Sequence, residues 1–138
     1  MNGLMVYLVK TIKQIVHINA SPQEVYEAFV DAKKHVEFTG AEVKFDVRAG
    51  GKFDIWSGEL TGENVELVEG KKIVQKWRAD DWPKGHYSDL TISLEPDGSG
   101  TKLTLVQENV PDDKADEIDD GWYQYYWKPM NEYFERNK

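Results

Sequence analysis

The sequence predicts an α+β domain in which a curved antiparallel sheet of about six to seven strands wraps around a long C-terminal helix. Three observations carry this prediction: apolar residues at every second position in the middle of the chain, short turns between these runs, and a broad apolar stripe at helical spacing near the C-terminus. Short turns join antiparallel strands, because parallel neighbours need long crossover connections. A helix and a sheet that each have one apolar face bury both faces by packing together.

Length, composition and charge narrow the possible classes of protein. A chain of 138 residues and 15.9 kDa has the usual size of one domain, so residues 1–138 are expected to form one unit, with 1–8 as a frayed N-terminus or an extension of the first strand. The absence of cysteine excludes disulfide scaffolds, zinc–thiolate centres and cysteine nucleophiles. The formal net charge of −8 disfavours nucleic acids and anionic membranes as partners.

The start of the chain does not read as a membrane span or a signal peptide. The apolar run at 4–9 is far shorter than the roughly 20 residues that cross a bilayer. No basic stretch precedes this run and no small-residue cleavage site follows it. We therefore expect a cytoplasmic location.

The first third of the chain predicts one strand and two short helices. A strand is expected at 9–18, which is rich in isoleucine and valine. Ser21 and Glu24 match the N-cap and N3 positions of a capping box, so a helix is expected at 22–30. A second short helix is expected at 31–38, before a glycine that ends it.

Six strands are expected in the middle of the chain, because apolar residues alternate there between turns rich in glycine, proline and aspartate. Val65 is expected to share a face with Leu67, and Ile73 with Gln75 and Trp77. The first strand is expected to pair at an edge of this meander. The six predicted strands cover 43–48, 52–56, 63–68, 72–79, 87–94 and 101–109.

The last segment predicts one amphipathic helix of about 20 residues. Its acidic start and basic end match the helix macrodipole. Pro129 lies within it and is expected to kink it or to cost about 3 kcal/mol, because proline offers no N–H to the preceding turn. The residues of its apolar stripe are Ile118, Trp122, Tyr125, Tyr126, Met130, Tyr133 and Phe134.

Residue patterns that carry chemistry are few. His17, His35 and His86 are isolated and lack metal-ligand spacing, and no nucleotide-binding or serine-nucleophile motif occurs, so we expect no metal and no cofactor. Adjacent carboxylates do not face one another on a helix or strand and are expected to be solvated. Asp54, Asp89 and His17 remain open as cavity-facing acid or base candidates. No catalytic residue is assigned, and the chain is not expected to be an enzyme.

A curved sheet around a helix is expected to leave a cavity between them. The aromatic stripe is either simply core or the wall of this cavity, where a small hydrophobic or lipid ligand could bind through apolar burial of about 25 cal/mol per Å². Trp82 is expected to be exposed among acidic residues, where it could anchor a partner. The candidates for the cavity lining are Phe53, Ile55, Trp77, Leu90, Trp122, Tyr126 and Met130.

Five short motifs, taken in this order, resemble the C-terminal domain of the activator of the heat-shock protein 90 ATPase. The resemblance covers roughly 10–135 and implies the helix-grip, or START-like, fold that birch-pollen-allergen-like proteins share. The motifs are Ser21-Pro22-x-Glu24-x-Tyr26, Gly50-Gly51-Lys52-Phe53, Val74-x-Lys76-Trp77-Arg78, Trp82-Pro83-x-Gly85-His86 and Gly121-Trp122-x-x-Tyr125-Tyr126.

The resemblance implies a co-chaperone role in which the chain binds a heat-shock protein 90-type chaperone. The residues expected to bind that partner are Arg48, Lys52, Trp82 and His86. In the family that the chain resembles, eukaryotic activators carry a separate N-terminal domain that holds most of the stimulating activity, and we do not expect that domain within these 138 residues. A carrier of a small hydrophobic ligand, which the aromatic stripe and the expected cavity suggest, is the alternative, and a cyclase- or hydrolase-type enzyme of the wider superfamily is a third hypothesis.

Overall fold

The computed structural model of the chain describes residues 8–138, so the predicted N-terminal extension falls almost wholly outside the described residues. A 3₁₀ turn and a π-helical turn belong to the C-terminal helical segment, at Asp112–Lys114 and Tyr123–Trp127. The helices are α1 (Pro22–Val30), α2 (Ala32–Thr39), α3 (Ala115–Trp122) and α4 (Lys128–Arg136). The strands are β1 (Val9–Ile18), β2 (Val43–Phe45), β3 (Lys52–Ile55), β4 (Leu60–Val68), β5 (Lys72–Ala79), β6 (Ser88–Asp97) and β7 (Gly100–Pro111).

The seven strands form one curved antiparallel sheet in the order β1-β7-β6-β5-β4-β3-β2. Strands β2 to β7 are a meander, and β1 pairs with β7 at its far edge, as the sequence predicts. The sheet wraps around the C-terminal helical segment, and α1 and α2 bridge the two ends of the meander. The predicted fold class is therefore confirmed.

Local signals explain where the two short helices begin and end. The Ser21 hydroxyl accepts the Glu24 N–H at 3.2 Å, and the Glu24 carboxylate accepts the Ser21 N–H at 3.1 Å, so the predicted capping box is present. Asp31 caps α2 by accepting the Lys34 N–H at 3.1 Å. Gly40 ends α2 with φ of 73°, a left-handed conformation that costs glycine little.

Two strands differ from the prediction because the chain bends out of the ladder. β2 ends at Phe45, and the backbone then turns through hydrogen bonds of its own, so Val47 is exposed rather than part of a strand. In β4 the register shifts between Asn64 and Glu66, where a β-bulge lies. The bulge turns Val65 outward and buries Asn64 instead. The prediction that Val65 and Leu67 share one face of the strand is therefore wrong.

The C-terminal helical segment continues through Pro129 by changing its hydrogen-bond pattern. The Lys128 N–H donates to the Tyr123 carbonyl, five residues earlier, so one extra residue enters this turn. The extra residue shifts the apolar stripe: Tyr126 and Trp127 are both buried, whereas Tyr125 is 61% exposed. Pro129 lies in the first turn of α4, where a missing N–H is tolerated.

The core lies between the concave face of the sheet and the C-terminal helical segment. The predicted shared face of Ile73, Gln75 and Trp77 on β5 is buried there. No helix within residues 8–138 is both long enough and apolar enough to cross a membrane.

Candidate functional site

An open cleft of about 560 Å³ lies where the first half of the C-terminal helical segment meets the ends of β3, β4 and β5. It falls within the roughly 300–1,000 Å³ of typical small-molecule sites. Its walls combine aromatic rings, a few aliphatic side chains and a set of carboxylates. The aromatic residues of the lining are Trp56, Trp77, Trp122, Tyr125 and Tyr126, the aliphatic residues include Leu60 and Ile118, and the carboxylates are Glu59, Asp80, Asp81 and Glu117.

The aromatic residues form a continuous set of ring contacts around the cleft. The Trp77 and Trp122 ring centroids are 5.7 Å apart, and the Trp122 and Tyr126 centroids are 4.9 Å apart. Trp56 closes the set with edge-on contacts to Tyr125 at 6.0 Å and to Tyr126 at 6.1 Å. Rings at these separations and tilts stabilise one another beyond their apolar burial.

Trp56 reaches the cleft from an unusual turn between β3 and β4. Trp56 and Ser57 have φ values of 55° and 50°, in the left-handed region that bulky residues rarely adopt. The turn is held because the Trp56 N–H donates to the Glu42 carbonyl at 2.9 Å and the Gly58 N–H donates to the Asp54 carboxylate at 2.6 Å. These bonds hold the turn from which the indole of Trp56 makes its edge-on contacts with Tyr125 and Tyr126.

Tyr126 is tied to the interior by a buried histidine. His35 Nδ1 lies 2.8 Å from the Phe29 carbonyl, which can only accept, so Nδ1 carries the proton. His35 Nε2 then accepts from the Tyr126 hydroxyl at 2.9 Å. Burial lowers the pKa of His35 to about 4, against the opposing effect of the Phe29 bond, and burial also raises the pKa of Tyr126. Both groups are neutral near pH 7, which suits a structural link.

Glutamine side chains on the sheet hold the two indoles of the C-terminal helical segment. The Trp122 Nε1–H donates to Gln107 Oε1 at 2.9 Å, and Gln107 Nε2–H donates to the Ser88 hydroxyl at 3.0 Å. The Trp127 Nε1–H donates to Gln14 Oε1 at 2.8 Å. Gln14, Ser88 and Gln107 are buried, so these bonds fix both indoles against the sheet, and of the two indoles Trp122 lines the cleft.

Three of the seven predicted cavity residues line the cleft, namely Trp77, Trp122 and Tyr126. The other four, Phe53, Ile55, Leu90 and Met130, are buried in the core and do not line it. They were predicted because they share the apolar faces of the sheet and the helix. The cleft, however, occupies only the end of the sheet at which β3 and β5 finish.

The sequence prediction did not include several residues of the candidate site. Trp56 and the carboxylates were not expected in the cleft wall, whereas Tyr125 belongs to the aromatic stripe for which core and cavity wall were both left open. Gln14 and Gln107 could have been found, because each occupies a buried position in a period-two pattern of apolar residues. His35 gave no such signal, since its partners come from α1 and from the C-terminal helical segment.

The structure corrects the prediction that Trp82 is exposed. Its side chain is 4% exposed, with ring contacts to Trp77 at 5.5 Å and to His86 at 5.8 Å. The Arg78 guanidinium donates to the Trp82 carbonyl at 2.9 Å, and the His86 ring nitrogen Nε2 lies 2.8 Å from the Asn109 carbonyl. The loop after β5 therefore folds back on its own tryptophan, which cannot serve as an exposed anchor.

Arg48 and Lys52, the two remaining partner-binding candidates, are exposed. Arg48 Nε lies 2.8 Å from the Asp46 carboxylate. Lys52 pairs in the sheet with Glu63, which pairs with Lys76, three residues before β5 ends. The structure therefore separates Arg48 and Lys52 from the loop of Trp82 and His86 rather than joining all four.

The three acid and base candidates are each bound to a partner outside the cleft lining. Asp54 accepts the Gly58 N–H, Asp89 pairs with Lys76, and His17 Nδ1 lies 3.1 Å from the Asp97 carboxylate. None of the three lines the cleft. Within residues 8–138, no group of three histidine, aspartate or glutamate side chains is placed to hold a metal ion.

The family model for "Activator of Hsp90 ATPase homolog 1-like protein" matches residues 19–135. The chain belongs to this family. The match covers most of the chain and includes every element that forms the cleft. It confirms the resemblance that the five sequence motifs indicate.

Two curated relatives and one solved structure illustrate the similarity. The chain is 38% identical over 114 residues to the "Activator of 90 kDa heat shock protein ATPase homolog" of Dictyostelium discoideum, covering 82% of this chain and 30% of the relative. It is 32% identical to the homolog 1 activator of Homo sapiens, covering 83% and 34%. The chain thus spans about a third of these relatives.

The similarity to a solved structure extends over nearly the whole fold. The crystal structure of an HSP90 activator from Plasmodium falciparum superposes with a TM-score of 0.85 at 26% identity, covering 91% of this chain and 96% of that chain. The helix-grip architecture predicted from the resemblance is therefore confirmed.

Proposed function

We propose that this chain is a co-chaperone module that binds a heat-shock protein 90-type chaperone and promotes its ATPase cycle. The observation that carries the proposal is the family match over 19–135, together with relatives that are named activators of that ATPase. Because the chain spans about a third of these relatives, chaperone binding by this part alone is what has to be tested.

Arg48 and Lys52 are the contact residues that we propose for the chaperone. Both are exposed cationic side chains, and an acidic group of a partner could compete with Asp46, which pairs with Arg48, for contact with them. His86 and the buried Trp82 contribute by shaping the loop after β5, whose exposed residues include Lys84 and Tyr87. The proposed contact is electrostatic and salt-dependent.

Binding and ATPase stimulation should be measured with the chaperone of the same organism at tens of micromolar. We expect the unmodified chain to bind and stimulate, and Arg48→Glu/Lys52→Glu to bind at least about tenfold more weakly. The matched control, Lys13→Glu/Lys33→Glu, changes the same charge at exposed positions on β1 and α2 and should stay within about twofold. No binding by the unmodified chain would reject the co-chaperone proposal. An equal loss of chaperone affinity in both variants would reject the proposal that Arg48 and Lys52 are the contact residues.

A second candidate function is the binding of a small hydrophobic ligand in the cleft. The specific observation in its favour is a volume of about 560 Å³ bounded by aromatic rings that hold one another in place. Trp77, Trp122 and Tyr126 are the proposed ligand contacts, together with Trp56, which packs edge-on against Tyr126. Chaperone binding and ligand binding use different surfaces and can be tested separately.

A further inference from the structure

We propose that the cleft selects an organic cation with an apolar body, such as an alkylated or aromatic ammonium compound. The proposal rests on the second candidate function, ligand binding in the cleft, and adds the charge and class of the ligand. Three features carry it: the aromatic walls, an acidic rim, and the lack of any basic residue in the lining.

The walls present the type of surface that attracts a cation. Trp56, Trp77 and Trp122, with Tyr125 and Tyr126, supply five rings around one space. The negative face of an aromatic ring attracts an ammonium group, and tryptophan does so most strongly. The exposed Tyr125 and the half-buried Trp56 form the outer part of this wall, so a ligand meets aromatic rings as it enters.

The rim adds negative charge beside the rings. Glu59, Asp80, Asp81 and Glu117 are exposed residues of the lining, and the lining contains no lysine, arginine or histidine. Lys114 offsets part of this charge, because its amino group lies 2.9 Å from the Asp81 carboxylate and also interacts electrostatically with Glu117. Among residues 8–138, Glu59 and Asp80 form no ion pair, so four carboxylates beside one lysine leave the mouth of the cleft with a net negative charge that attracts cations.

The same charges disfavour other hydrophobic ligands. A fatty acid or a phospholipid would bring its carboxylate or phosphate close to the rim, and like charges in a partly enclosed site repel. A neutral hydrocarbon would use the rings but gain nothing from the carboxylates. Leu60 and Ile118 offer apolar surface for the body of the ligand, which leaves its cationic group to the rings and the rim.

Three probes of similar size and different charge test the inference: phenyltrimethylammonium, its neutral isostere tert-butylbenzene, and benzenesulfonate. Binding is followed by NMR through the indole N–H signals of Trp56, Trp77 and Trp122. We expect the cation to bind at least about fivefold more tightly than the isostere, with an affinity that weakens as salt is added, and benzenesulfonate not to bind.

The acidic rim is tested with Glu59→Gln/Asp80→Asn/Glu117→Gln. The variant should lose at least about fivefold in affinity for phenyltrimethylammonium and keep its affinity for tert-butylbenzene within about twofold. The matched control, Glu63→Gln/Glu108→Gln/Glu132→Gln, removes the same charge at exposed positions outside the cleft and should bind both probes like the unmodified chain.

The outcomes separate the two levels of the proposal. Equal binding of the cation and the isostere, or an unchanged cation affinity in the rim variant, would overturn the cation inference while ligand binding in the cleft stands. If neither phenyltrimethylammonium nor tert-butylbenzene binds, both the cation inference and the proposal of ligand binding in the cleft are overturned. The co-chaperone proposal is unaffected by either result, because its test measures chaperone binding at Arg48 and Lys52.

Discussion

Tyr126 belongs both to the wall of the cleft and to the buried interior. Its ring faces Trp56 and Trp122, whereas its hydroxyl donates to the fully buried His35. His35 in turn donates to the Phe29 carbonyl of α1, so one tyrosine joins the C-terminal helical segment to the two short helices. A buried polar pair of this kind stabilises the fold only while both members are present.

Removal of the Tyr126 hydroxyl tests this link. Tyr126→Phe leaves His35 Nε2 buried without its donor, so we expect a loss of about 1–3 kcal/mol in the free energy of unfolding. Tyr125→Phe is the matched control, because Tyr125 is 61% exposed, and it should change stability by less than about 0.5 kcal/mol. Urea unfolding followed by circular dichroism measures both, and equal stability of the two variants would contradict the link.

His35 also predicts a pH dependence of stability. Its folded pKa of about 4 is depressed below the usual 6.5, so between these values the unfolded chain binds a proton that the folded chain does not. The contribution of neutral His35 is therefore present above pH 6.5 and is lost as the pH falls toward 4, by roughly 3 kcal/mol at most.

The measurement compares the unmodified chain with His35→Gln, which cannot titrate. As the pH falls from 6.5 to 4, the unmodified chain should lose more free energy of unfolding than His35→Gln. The other titratable groups are common to both proteins, so the difference reports on His35. An NMR titration of the folded protein gives an independent reading. A His35 ring that takes up its proton near pH 6.5 in the folded state would contradict this account.

Among the elements, β4 and the C-terminal helical segment each contain an irregularity that positions side chains. The bulge in β4 buries Asn64, whose amide donates to the Asp46 carbonyl at 3.0 Å and so holds the loop that carries Arg48. The π turn brings both Tyr126 and Trp127 against the sheet. Each irregularity inserts one residue and thereby changes which side chains face inward.

Alanine substitutions at two glycines in these elements are expected to change the free energy of unfolding in opposite directions. A Cβ at Gly62 in β4 would lie against the Lys76 carbonyl oxygen and 2.6 Å from Cζ of Phe53, so Gly62→Ala should cost about 2–3 kcal/mol. A Cβ at Gly121 in α3 would come no closer than 3.7 Å to Tyr125, so Gly121→Ala should gain about 0.5–1 kcal/mol. Thermal unfolding measures both, and a destabilised Gly121→Ala would contradict the open space assigned to it.

At the scale of the whole molecule, the sheet and the C-terminal helical segment are joined by polar as well as apolar contacts. Gln107 on β7 accepts a hydrogen bond from Trp122, and Gln14 on β1 accepts one from Trp127. Two neighbouring strands therefore bind the same helical segment at two points. The cleft opens beyond these points, toward β3 and β5. Its shape therefore depends on how the helical segment is docked on the sheet.

Gln107→Leu tests this docking. The substitution leaves the Trp122 indole N–H without its acceptor and the Ser88 hydroxyl without its donor, so we expect a loss of about 1–3 kcal/mol. Gln124→Leu, at an exposed position in the π turn, is the control and should have little effect. Tryptophan fluorescence and far-ultraviolet circular dichroism should report one shared unfolding transition. Equal stabilities of the Gln107→Leu and Gln124→Leu variants would contradict the role of Gln107 in docking the helical segment.

The predictable parts of the structure are those set by neighbouring residues. The bounds of β1, α1 and β5 agree with the prediction, because alternation and a capping box are read from adjacent positions. Trp82 and Val65 were misplaced, because the loop after β5 folds back on its tryptophan and a bulge shifts β4. Trp77, Trp122 and Tyr126 line the cleft together with Tyr125 of the predicted stripe, whereas Trp56 and the carboxylates come from segments in which no local pattern indicated it.

The sequence by itself determined the order of the elements, the antiparallel meander, the terminal helical segment and, through five motifs, the family. These follow from local periodicity and turn chemistry, which act over a few residues. Only the tertiary structure decided the aromatic and acidic character of the cleft. Trp56 enters through a left-handed turn, Tyr126 through a π turn, and the carboxylates come from separate segments, so their meeting depends on contacts between residues far apart in the chain.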